Sequence, residues 1–225
     1  MKRVAIVGFA PSWTEAPFTD LGVDIWMMNF HHEVAPRVSR IFELHAWDVV
    51  VSEGHVAGFA AAACPVYMQT VRPEIPASVA YPLDVMRAAY TLPGCDRPYF
   101  VTTASYMIAL AIQEGYEEIA VYGIDMAHDS EYSNQRPSCE FFLGVAVGRG
   151  ITVTTHPASD ILKTAFLYAY EDRQQHWMRT KLMERQKYLE TLRAQHAAEA
   201  AKHAQAVHEC SGALENNQHI AKVWT

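Results

Sequence analysis

The chain has 225 residues, half of them apolar and 11% aromatic, with a formal net charge of -7. This composition excludes a disordered chain, and the length suffices for one sizeable core plus an extension. The acidic balance excludes a general nucleic-acid coat, which needs a basic surface, but leaves room for a local basic pocket that holds one phosphate.

The first apolar run, Val4–Val7, predicts a buried strand ending at Gly8-Phe9-Ala10-Pro11-Ser12. Asp24–Asn29 predicts a second strand that ends in a polar residue, and Arg40–His45 an alternating third. Pro65–Met68 is a fourth candidate, followed by a proline-rich loop through Pro73, Pro76 and Pro82. Tyr99–Gly115 has helical spacing, with Ala104, Met107, Ile108, Ala111 and Ile112 on one side and Gly115 as a stop. Glu118–Tyr122 is the clearest central strand, with Gly123-Ile124-Asp125-Met126 at its end. Cys139–Val147 predicts a further helix and Ile151–Thr155 a last strand. Strands alternating with helices imply parallel pairing and right-handed crossovers. The expected fold is α/β: a Rossmann-like, mostly parallel sheet with helices on both faces over residues 1–160.

Residues 161–225 differ in character. Ile161–Glu209 contains no proline or glycine and is rich in Ala, Glu, Gln, Lys and Arg. One or two long helices are expected there, broken at Ser211-Gly212, with a short tail ending in Trp224. Such a polar helix is either a solvated appendage or a hairpin or coiled coil that makes a homo-oligomer. Its histidines, His176, His196, His203 and His208, are irregularly spaced and do not read as a metal site.

Cys64, Cys95, Cys139 and Cys210 are widely spaced with no C-x-x-C, so they read as small hydrophobes or incidental thiols rather than zinc ligands. Lys2 and Arg3 lead straight into a strand-length run, so no secretory leader is expected, and no apolar run is long enough to span a bilayer. A cytoplasmic protein with no membrane partner is the expectation.

In a parallel sheet the functional side chains lie just past the C-terminal ends of the strands. Those positions are Gly8 to Ser12, Asn29 with His31 and His32, Glu43 with His45, and Gly123 to Met126. The first loop is neither G-x-G-x-x-G nor a Walker loop. Gly8 would let backbone approach a ligand, and Ser12 can hold a phosphate or simply cap a helix. Thr102-Thr103-Ala104-Ser105 opens a helix, where one hydroxyl caps and the others can hold an anion. Asp125 opens a dense polar segment in which Glu131, Tyr132 and Gln135 can touch a sugar or base. Arg136 offers a fixed fork for a phosphate there. Asp125, Asp129 and Glu131 are also hard-oxygen ligands by type, but no metal is expected. His45, two residues after Glu43, suits a general base or a structural histidine bonded to backbone. His156, before Pro157, is a weaker candidate.

Together these landmarks resemble the bacterial sialyltransferases of glycosyltransferase family 42 and the related hydroxymethylpterin pyrophosphokinase-like proteins. Gly8-Phe9-Ala10-Pro11-Ser12 resembles their G-x-G-P-S loop, Met28-Asn29 the asparagine after their second strand, and Thr103–Met107 their hydroxyl-rich helix start. Gly115–Asp125 matches their G-[YF]-x-x-I-x-[LV]-x-G-I-D strand. The resemblance spans about residues 1–165. It implies a site for a nucleotide-activated donor, used as substrate without a cofactor, lined by Gly8, Ser12, Asn29, Thr103, Ser105, Gly123 and Asp125. Tyr132 stands near the family's phosphate-contacting tyrosines. The family's sialyltransferases carry a catalytic histidine where this chain reads Glu131–Pro137, so nucleotide binding is carried over more fully than sialyl transfer. The helical extension lies outside the family and resembles uncharacterised bacteriophage proteins.

The function expected is metal-independent transfer of a sugar from a nucleotide-activated donor. His45, Glu43 or Glu131 would be the base and Arg136 would stabilise the departing phosphate. The alternatives are a non-catalytic protein that sequesters a nucleotide derivative and a structural phage protein.

Overall fold

The structure, a computed structural model, describes residues 1–126, 130–164, 166–168, 170 and 174–223; of His31 and residues 130–133 and 174–180 it describes the backbone alone. The described residues divide into two units, Met1–Lys163 and Thr164–Thr225.

The first unit is built on a seven-stranded sheet: β1 (Arg3–Val7), β2 (Val23–Met28), β3 (Arg40–Phe42), β4 (Val66–Met68), β5 (Ser78–Ala80), β6 (Glu118–Tyr122) and β7 (Thr152–Thr155). The order is β5-β4-β3-β2-β1-β6-β7, and every adjacent pair is parallel. The central strands are buried on both faces, which is why Val-Ala-Ile-Val and Ile-Trp-Met-Met are unbroken apolar runs. At the edge, β7 is Thr-Val-Thr-Thr, with exposed and half-buried residues alternating.

One face carries the larger core. Val4, Ile6, Trp26, Phe42, Ile119 and Val121 pack beneath α3 (Leu83–Tyr90), α4 (Thr103–Gln113) and α5 (Ser130–Gly148). On the other face Ala5, Val7, Ile25 and Met27 meet Ala16, Trp13 and Phe18, which come from and around a 3-10 turn at Pro11–Glu15. Beside them Ile41, Val66 and Met68 pack on Val50 of α1 (Trp47–Ser52) and Phe59 of α2 (Val56–Ala60). Helices thus cover both faces, but the second is covered by short turns. A second 3-10 turn, Asn29–Glu33, follows β2.

Several boundaries differ from expectation. The proline-rich segment contains β5 and leads directly into α3, because Tyr81, Met86 and Tyr90 fill the larger core and Ile75 fills that beside α1 and α2. The helix expected from Tyr99 begins at Thr103. The third strand ends at Phe42, ahead of His45. The helix expected over Cys139–Val147 begins at Ser130 and runs through Pro137. An interior proline costs a helix about 3 kcal/mol; here the cost is offset by the burial of Cys139, Phe142, Leu143 and Ala146.

In the second unit, α6 (Gln174–Val223) is one helix of 50 residues. It does not begin at Ile161, since Ile161 and Leu162 form a turn, nor does it break at Ser211-Gly212. The Ser211 hydroxyl donates to the Val207 carbonyl at 2.9 Å within the helix. Trp224 lies outside the described residues. No described helix is long and apolar enough to cross a membrane.

Candidate functional site

The strand order reverses between β1 and β6: the chain builds outward from β1 to β5, then returns to pair β6 on the other side of β1. Ligand crevices of open parallel sheets form at such switch points, past the carboxyl ends of the strands. Gly8 lies there after β1 and Gly123 after β6, with Val7 and Tyr122 in register. Asn29 and Glu43 follow β2 and β3 on the same edge.

The two glycines face each other. A Cβ on Gly8 would stand 2.4 Å from the Gly123 carbonyl oxygen, and one on Gly123 would stand 2.8 Å from that of Gly8. Gly123 also has φ +64°. The Gly8 N–H donates to the Tyr122 carbonyl at 2.9 Å and the Ala10 N–H to that of Gly123 at 2.8 Å. Gly8 thereby lets the two crevice loops pack backbone to backbone.

Ser12 ties the same loops. Its buried hydroxyl accepts from the Gly123 N–H at 2.9 Å and reaches Asp125 Oδ1 at 3.5 Å. Ser12 is therefore committed first to the protein, and it sits inside the 3-10 turn rather than at its cap. Asp125 is half-buried, and burial raises its pKa above the ordinary carboxylate value against the opposing Ser12 bond. The loop after β7 closes over it. Ser159 Oγ donates to the Ile124 carbonyl at 2.8 Å, and the Asp160 N–H donates to the Asp125 carbonyl at 3.2 Å. Lys163 Nζ donates to the Ser159 carbonyl at 2.7 Å and also to that of His156. His156 Nδ1 accepts from the Ala158 N–H at 3.1 Å, so its Nε2 carries the proton that faces Glu15 at 3.0 Å. Glu15, Ser159, Asp160 and Lys163 were not singled out in the sequence; the His-Pro-Ala-Ser-Asp run after the last strand was the available signal.

The Glu43 and His45 pair is built otherwise. Glu43 is 1% exposed, and its Oε1 accepts from the His45 N–H at 2.9 Å and from His45 Nδ1 at 2.7 Å. The His45 side chain is 48% exposed. A buried carboxylate thus holds Nδ1–H of a half-exposed imidazole, leaving the lone pair on Nε2.

Other candidates are spent elsewhere. Ser105 is fully buried; its hydroxyl donates to the Thr102 carbonyl at 2.7 Å and accepts from the Thr102 N–H at 3.4 Å. It caps α4. Thr103, half-buried, opens that helix. The guanidinium of Arg136 pairs with Glu140 at 2.8 Å and donates to the Lys163 carbonyl at 3.2 Å. Glu140 also accepts from the Leu162 N–H at 2.9 Å. Arg136, expected at a departing phosphate, clamps the 160–163 loop to α5 in this structure. Gln135 is half-buried on α5. The side chains of Glu131 and Tyr132, and residues His128 and Asp129, lie outside the described set. His32 stacks on Phe59 and faces the carbonyls of Asn29 and Gly58 at 3.1 and 3.4 Å. Among the described residues no three His, Cys, Asp or Glu side chains converge as a metal site.

Two non-glycine residues at the crevice have left-handed backbone, Asn29 at φ +52° and Met126 at φ +47°. Such strain gathers where a loop is held for function. Asn29 Oδ1 is buried without a hydrogen-bond partner among the described residues. A separate cavity of about 500 Å3 is lined by residues that include His32, Glu33, Arg37, Gly58 and Cys64; of the strand-end positions expected to carry function, His32 is in its lining.

No family model matches the chain. No curated protein matches it either. Among solved structures it is similar to the sialyltransferase CstII from Campylobacter jejuni with the substrate analogue CMP-3FNeuAc, at 15% identity and TM-score 0.45, over 69% of this chain and 81% of that one. The same enzyme with cytidine 5'-monophosphate aligns at 17% identity and TM-score 0.44, over 69% and 79%. The complex with a trisaccharide acceptor and CMP aligns at 15% identity and TM-score 0.45, over 68% and 80%. At these values the likeness is distant.

Proposed function

We propose that the first unit transfers a sugar from a nucleotide-activated donor. The observation that carries this reading is the Glu43–His45 pair at the crevice edge, a base held by an orienting carboxylate. His45 Nε2 takes the proton of an acceptor hydroxyl as its oxygen bonds the anomeric carbon. The bond from that carbon to the donor phosphate oxygen breaks, and the electron pair leaves with the nucleotide. Glu43 keeps the imidazole in the required tautomer and stabilises its cation. Gly8, Ser12, Gly123 and Asp125 form the floor against which the donor lies, and Asn29, Thr103, Tyr132 and Gln135 contact it. This chain also associates with a second copy through α6.

Nucleotide release from CMP-, UDP-, GDP- and dTDP-sugars tests the reading. One donor is expected to raise the melting temperature and to be turned over. His45→Ala is expected to slow turnover about 10²- to 10⁴-fold, with Glu43→Gln intermediate and donor affinity little changed. No shift and no release with any donor overturns the proposal. A second reading, sequestration of a nucleotide derivative, is favoured by the commitment of Arg136 to Glu140 and to the Lys163 carbonyl. Binding without turnover decides for it.

A further inference from the structure

Two phenylalanines stand at the crevice mouth where polar residues would be expected. Phe9 follows Gly8 and is 39% exposed; Phe30 follows Asn29 and is 43% exposed. Their rings stack at 5.5 Å with planes 23° apart. Phe30 also stacks on His55 at 4.4 Å and 29°. His55 in turn meets the edge of Phe59, which is fully buried. Three chain segments thus bring together one row of flat rings, anchored in the core at Phe59 and exposed at Phe9 and Phe30. The left-handed backbone of Asn29 sets the direction in which Phe30 leaves the strand.

Two residues of these segments carry buried polar atoms that make no hydrogen bond among the described residues. Asn29 Oδ1 is a buried acceptor without a donor among the described residues, and His55 Nδ1 lies 3.3 Å from Glu53 Oε2 without hydrogen-bond geometry. A buried acceptor left unpaired carries the full cost of its desolvation, which a ligand N–H would relieve. Exposed rings for stacking, with an unpaired acceptor on the residue that precedes Phe30, suit a planar heteroaromatic that has an N–H on its edge.

We infer that Phe9, Phe30 and His55 form a stacking platform for a nucleobase, with Asn29 accepting from its edge. The identification of the ring as the donor's base rests on the function proposed above. Because every base has a stacking face, the platform selects for a base over a bare sugar phosphate more strongly than it selects among bases.

Equilibrium binding to the full chain tests this with cytidine, uridine, adenosine and guanosine, their 5'-monophosphates, and ribose 5-phosphate. Phe30→Leu and Phe9→Leu keep apolar bulk without a ring, and circular dichroism checks that they fold. At least one nucleoside is expected to bind. Either leucine variant weakens it about tenfold, Phe30→Trp restores it, and ribose 5-phosphate is indifferent to all three. Unchanged nucleoside affinity in both leucine variants overturns the platform, as does the failure of every nucleoside and monophosphate to bind. The two proposals fail separately. Nucleotide-sugar turnover whose KM ignores both phenylalanines removes the platform and leaves the transferase. Nucleoside binding that depends on them, in a chain that turns over no donor, removes the transferase and leaves the platform.

Discussion

Ser12 and Gly8 hold the crevice closed at its base, and substitutions there act first on stability. Gly8→Ala drives a methyl carbon to 2.4 Å from the backbone oxygen of Gly123, a contact that neither strand can yield without breaking register. It is expected to cost about 3 kcal/mol, the upper end for overpacking. Ser12→Ala leaves the Gly123 N–H without its acceptor and is expected to cost about 1–3 kcal/mol. Urea unfolding of each variant measures both.

Asp125 works in the opposite sense. Its folded pKa is raised, chiefly by burial, so ionisation opposes folding. Its stability contribution is complete below the unfolded pKa of about 3.9. It declines as pH rises from there through the folded value, then levels off. Asp125→Asn removes that decline. The expected result is a melting temperature equal to or above the parent's at pH 7, with the difference vanishing in acid, read from thermal melts across pH.

Among the elements, α4 and α6 contrast. The apolar residues of α4 bury beneath α5 and against the sheet, so its hydrophobic spacing, with Gly115 as a stop, revealed it apart from where it begins. In α6, Leu182, Met183, Tyr188, Val207 and Leu214 are each at least 58% exposed within the described structure. Its helicity therefore depends on intrinsic preference, and on whatever covers those side chains in solution. Gly212 is the weakest interior position by that measure, and a Cβ there meets nothing within 4 Å. Gly212→Ala is expected to stabilise α6 by about 1 kcal/mol, seen as a later loss of helical ellipticity on heating.

The whole molecule divides at Lys163, and every residue of the three hydrophobic clusters lies before that division. A chain ending at Lys163 is expected to unfold cooperatively and to keep nucleoside binding. By sedimentation equilibrium, the full chain is expected to exceed monomer mass and the shortened one to be monomeric. Monomers in both cases remove the association proposed for α6.

Strand-length apolar runs, each ending in a glycine, asparagine or acid, were enough to read a parallel α/β sheet and to mark which edge carries Gly8, Asn29, Glu43 and Gly123. Both signals are local: burial on two faces needs an unbroken run, and a strand end bordering solvent needs a polar or permissive residue. Beyond that, local pattern misled. Proline hid β5, α3 and the start of α5, because core contacts outweighed local preference. The duties of single side chains were decided by partners far away in the chain. Ser12 meets Gly123 across 111 positions, and Arg136 is drawn to Lys163 by a loop 27 positions on. No spacing rule records such meetings. The rings of Phe9 and Phe30 read as ordinary apolar residues until folding set them face to face at the open edge of the sheet.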